Sequence, residues 1–119
     1  LHLSLRRQRQ MCIRDSGCIV AHSLGLGYVP CEVHHLTVGG KHGARRRGHD
    51  FTVGVNSWSH RGEPFGGMSA DTCERLFGPS YAKQPRRFRQ EIGSDDYLLD
   101  LQNTLIEQHQ LRTRAWQVA

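Results

Sequence analysis

A small α+β domain is predicted by three features: two short alternating segments, a short helix directly after the second, and a run of well-capped helices downstream. Residues 31–36, CEVHHL, and 51–55, FTVGV, alternate well enough to be strands. Asn56 or Ser57 can cap a short helix through Ser57–Arg61. Ser69 is a good N-cap for a helix over Ala70–Phe77, which Gly78-Pro79 stops. Pro85 precedes a short helix over Arg86–Ile92. Ser94 then caps a longer one over roughly Asp95–Leu111, with Asp95 and Asp96 in the first turn, where carboxylates favour the helix dipole. Leu98, Leu101 and Leu105, with Leu99 and Ile106, give that helix an apolar stripe.

The 119 residues suit one small domain and exclude barrels and doubly wound folds, which need roughly 200 residues or more. Only 37% of residues are hydrophobic and the mean hydropathy is −0.57, so the core is lean and a bound metal or partner would help it. No apolar run approaches the ~18–20 residues of a membrane span, and no apolar targeting segment is visible. The expected location is therefore cytoplasmic. The cysteines, Cys12, Cys18, Cys31 and Cys73, form no C-x-x-C pair and are expected to be reduced. The eight histidines are the more unusual count, because His is both a common metal ligand and the usual general base near neutral pH.

Residues 1–16 differ from the rest. The stretch RQRQMCIRDS resembles translated sequencing-adapter read-through, so this segment is read as a non-native leader outside the fold. Its four Arg and one Asp carry +3 of the net charge of +5. The case for a phosphate-bearing partner thus rests on where the other positive charges lie. Residues 17–30 begin apolar and end in a Gly/Pro-rich turn. Residues 37–50 form a long Gly- and Arg-rich loop between the strands, and such loops are often functional.

The informative residues are His34 and His35, followed by His49 and His60. Neighbouring side chains on a regular strand point to opposite faces, so His34 and His35 cannot do the same job from one. Closing the two strands and laying the short helix across them would bring these regions together.

The string CEVHHLTVGGKHGARRRGHDFTVGVNSWSHRG resembles the HNH-type core of phage and prophage recombination-enhancement, RecA-dependent nucleases, and GPSYAKQPRRFRQEIGSDDYLLDLQNTLI resembles the tail of that family. The resemblance implies a ββα-metal (HNH, or His-Me finger) core over 17–79, a helical tail over 80–112 and a terminal tail over 113–119. It implies a metal-dependent DNA endonuclease hydrolysing phosphodiester bonds, acting in phage recombination with a RecA filament inside the bacterial host. By the same resemblance, His34 and His60 are metal ligands, His35 is the base that activates water, and His49 orients that base or the loop. The cofactor would be a divalent ion, Mg²⁺ first, with Mn²⁺ or Zn²⁺ as alternatives.

The sequence departs from the family pattern at one place. Many relatives carry C-x-x-C in the first segment and C-x-x-H after the second strand, a plausible structural zinc site. Here the positions read Cys18 and Ala21, then Asn56 and Ser59. His22 and Cys31 lie near but at the wrong spacing. No structural zinc is expected, and packing or hydrogen bonding must join these elements instead.

Two basic clusters are candidate DNA contacts: Lys41 with Arg45, Arg46 and Arg47 in the loop, and Arg86, Arg87 and Arg89 downstream. Trp58 reads as a core anchor; His22 and His109 read as structural or solvated. No Walker-type motif exists, so nucleotide hydrolysis is unsupported. An alternative stays open: a non-catalytic DNA-binding module that keeps the ββα shape. A His-rich metal-binding protein with no nucleic-acid role is a further one.

Overall fold

The computed structural model describes residues 5–36 and 51–118, the side chains of 114–118 excepted. In chain order the elements are helix α1 (Leu5–Ser16), helix α2 (Ile19–Ser23), strands β1 (Glu32–His35) and β2 (Thr52–Val55), and helices α3 (Ser57–Arg61), α4 (Ala70–Phe77), α5 (Pro85–Glu91) and α6 (Asp95–Val118). This is an α+β arrangement around a two-stranded antiparallel sheet.

In the register, Glu32 lies opposite Val55, Val33 opposite Gly54, His34 opposite Val53 and His35 opposite Thr52. Alternation therefore puts Glu32, His34, Val53 and Val55 on one face and Val33, His35, Thr52 and Gly54 on the other. Val53 and Val55 join the main core with Trp58, Phe77, Phe88 and Leu98.

The outer edge of β2 is closed by groups from three other segments. The Thr52 carbonyl accepts from Arg9 Nη2 at 2.7 Å, the Gly54 amide donates to Gln102 Oε1 at 2.7 Å, and the Asn56 amide donates to Cys18 Sγ at 3.2 Å. Buried backbone groups need such partners, and a strand with a neighbour on one side only must find them elsewhere.

Residues 1–16 were expected to stand outside the fold; Leu5–Ser16 instead packs as α1. Ile13 is completely buried. It can approach because Gly54 has no side chain: a Cβ there would sit 2.6 Å from Ile13 Cγ2. Arg9 adds bonds from its Nε to Thr52 Oγ1 and from its Nη1 to Asn103 Oδ1.

The short α2 falls where the sequence showed only an apolar stretch. Downstream, the capping signals hold. Asn56 Oδ1 accepts from the Ser59 amide at 2.7 Å, and Ser69 caps α4 through the Thr72 amide. Helix α6 runs on to Val118, beyond the expected end near Leu111 and through the boundary drawn at 112. Residues 112–118 contain no Gly or Pro to interrupt it. On its inner face Leu98, Leu105 and Ile106 are buried as expected, and Gln102 is buried among them.

Candidate functional site

The site forms where β1 meets the C-terminal end of α3. Asn56 starts α3 and Gly62, in the left-handed conformation at φ 75°, ends it after five residues. His60 and Arg61 are thereby delivered to the strand face that carries Glu32 and His34. The His34 and His60 rings meet edge to face with centroids 4.5 Å apart. His60 Nδ1 lies 3.1 Å from Glu32 Oε1. Arg61 donates to the same carboxylate twice, from Nε to Oε1 at 2.9 Å and from Nη2 to Oε2 at 2.7 Å. The Arg61 hydrogen bonds hold the Glu32 carboxyl below its ordinary value against the opposing effect of burial, with His60 adding to the lowering.

Tyr81 closes the other side of His34, ring to ring at 5.0 Å. Its amide donates to the Ser59 carbonyl, its ring packs edge to face on buried Phe88 at 5.2 Å, and its hydroxyl lies 3.2 Å from Asp95 Oδ1. Burial first, and then Asp95, push the Tyr81 phenol up. The Arg89 guanidinium of α5 sits 5.6 Å from the centre of the Tyr81 ring, on which it can make a cation–π contact.

Of the sequence-predicted residues, His34 and His60 are brought together. His35, opposite Thr52, belongs to the other face of the strand, the one α1 covers. His49, Lys41, Arg45, Arg46 and Arg47 lie outside the described residues. Among the described residues, no three His, Cys, Asp or Glu side chains gather as a ligand set. Arg86, Arg87 and Arg89 are exposed on α5. Arg87 is engaged by Glu91 at 2.8 Å and Glu74 at 3.5 Å.

Sequence reasoning did not single out Glu32 or Tyr81. Glu32 was findable: two residues before His34 on a strand, it must share that side chain's face. Tyr81 carried no such signal, because its approach depends on how the segment after α4 folds back.

The four positions at which the sequence departs from the family pattern, Cys18, Ala21, Asn56 and Ser59, include a hydrogen-bonded joint. Cys18, at the N-terminus of α2, accepts at its sulfur from both the Asn56 amide and Asn56 Nδ2, each at 3.2 Å. Asn56 in turn caps Ser59, while Ala21 is fully buried. The Cys31 thiol donates to the Ile13 carbonyl, and burial, reinforced by Cys18, pushes it up to about 11. Trp58 is buried with its Nε1 donating to the Gly78 carbonyl at 2.9 Å, as a core anchor should be. His22 is exposed, and His109 Nε2 lies 3.4 Å from Asp15 Oδ2.

The sequence model of a family described as "Recombination enhancement, RecA-dependent nuclease" matches residues 4–107. No curated protein and no solved structure matches. Among the described residues, no helix is long and apolar enough to cross a membrane.

Proposed function

We infer from the family to which this chain belongs, the recombination-enhancement, RecA-dependent nucleases, that it is a metal-dependent DNA endonuclease cutting DNA in the presence of a RecA filament. In this reading β1, β2 and α3 are an HNH-type ββα-metal core. The observation that carries it is the meeting of His34 and His60, 4.5 Å apart on one face of the β1–α3 junction.

The donor set fits a divalent ion, Mg²⁺ or its substitutes Mn²⁺ and Zn²⁺, held by two imidazole nitrogens, with the remaining positions left to water and phosphate. When bound, such an ion supplies Lewis-acid stabilisation of charge on the phosphate and the departing 3′-oxygen. The protein's own contributions are distinct. His34 and His60 provide the nitrogens, and Tyr81 packs against His34. Arg86 and Arg89, with Lys41, Arg45, Arg46 and Arg47 of the loop, take the DNA phosphates. His35 is the proposed base, with His49 orienting it or the loop. From the α1 face, His35 serves that role only if the scissile phosphate lies across the end of β1.

That placement of His35 is also the observation that favours a second reading, a DNA-binding module that does not cut. Plasmid nicking with Mg²⁺ or Mn²⁺, with and without RecA filaments, separates the two. Endonuclease function predicts cleavage by the parent, loss in His34→Ala and His60→Ala, and a fall of about 10²–10⁴-fold in His35→Ala. Undiminished cleavage by His35→Ala removes His35 as base. No cleavage by the parent under any condition, with salt-sensitive DNA binding retained, selects the module.

A further inference from the structure

We propose that Glu32 is a positioning residue that holds His60 as its Nδ1–H tautomer and so makes Nε2 the nitrogen it offers to a metal ion. The inference rests on the reading of His60 as a ligand. An ionised carboxylate has acceptors only, so the 3.1 Å contact between His60 Nδ1 and Glu32 Oε1 requires the proton on Nδ1. In the neutral imidazole Nε2 is then left with its lone pair. The tautomer of an imidazole ligand is set by the bond its other nitrogen makes.

Arg61 makes the arrangement directional. Its two bonds hold Glu32 Oε1 and Oε2 at 2.9 and 2.7 Å, which favours the carboxylate orientation that faces His60. Glu32 also fits the strand geometry. It stands two residues from His34 on the same face, so one four-residue strand carries one proposed ligand together with the residue that aims the other. His60 and Arg61 are consecutive in α3, and both reach back to this single side chain.

The test is long-range ¹⁵N–¹H spectroscopy of the imidazoles in the metal-free protein, combined with Mn²⁺ titration by calorimetry. The parent should show His60 protonated on Nδ1 and bare on Nε2. Glu32→Ala should move the proton to Nε2 and weaken Mn²⁺ binding about 10–100-fold. Arg61→Gln, which leaves the Glu32 carboxylate in place, should keep the Nδ1–H form. If Glu32 only ties β1 to α3, both variants lose stability while the His60 tautomer and Mn²⁺ affinity stay as in the parent, and the proposal falls. The spectra also show whether each variant is folded. A tautomer shift in Glu32→Ala with no Mn²⁺ binding by the parent upholds the positioning and overturns the metal reading. Binding by the parent with an unmoved tautomer in Glu32→Ala does the reverse.

Discussion

At the scale of single residues, Asn56 does more than its neighbours. It follows β2, starts α3 through its Oδ1, and ties α2 to both through two bonds to Cys18 Sγ. Only one of those sulfur bonds uses the side chain, so replacing Asn56 by Ala removes a cap and one buried bond. A loss of about 1–2 kcal/mol is expected in urea or thermal unfolding. Asn56→Ser keeps a capping oxygen and should recover part of it; equal losses in the two variants would show that capping is not what Asn56 supplies. The consequence for the site is direct, since α3 holds His60 only as firmly as its first turn is held.

At the scale of elements, legibility followed locality. Helices α3, α4 and α5 and strands β1 and β2 were readable because each announces itself by a cap, a stop or an alternation within a few residues. Helix α2 was missed because five residues carry too little periodicity to separate helix from buried strand. The face shared by Glu32 and His34 was implicit in the alternation, whereas the approach of Tyr81 to His34, and of Arg89 to Tyr81, is tertiary and has no local signature. Helix α1 was set aside on sequence character, yet its packing turns on a pair far apart in the chain, Ile13 over Gly54. Ile13→Ala tests its membership of the fold. With Ile13 completely buried, the cavity should cost about 2–5 kcal/mol in chemical denaturation. A change within a few tenths would mean that α1 contributes no core.

At the scale of the whole molecule, the net charge of +5 says less than its placement. Arg86 and Arg89 are exposed on the same short helix, and Arg89 lies next to the ring that packs on His34. Arg87 is engaged by two carboxylates. If α5 meets the DNA backbone, Arg86→Ala and Arg89→Ala should each flatten the dependence of log affinity on log salt by about 1. Arg87→Ala should change it less, since releasing Arg87 from Glu74 and Glu91 offsets part of what a phosphate contact returns. Fluorescence anisotropy over a salt series measures all three. Equal effects from the three variants would remove the distinction between Arg87, held by two carboxylates, and the other two arginines.

The closed edge of β2 bears on assembly. A two-stranded sheet invites a strand from another chain, by swapping or by aggregation, wherever a row of backbone groups stands open. Along β2, one backbone group at each of Thr52, Gly54 and Asn56 that an incoming strand would pair with already has a partner drawn from α1, α6 or the start of α2. Growth of the sheet on that side must therefore first displace a guanidinium, an amide and a thiol. The protein can approach a long polymeric substrate with this edge of its sheet guarded against its own copies.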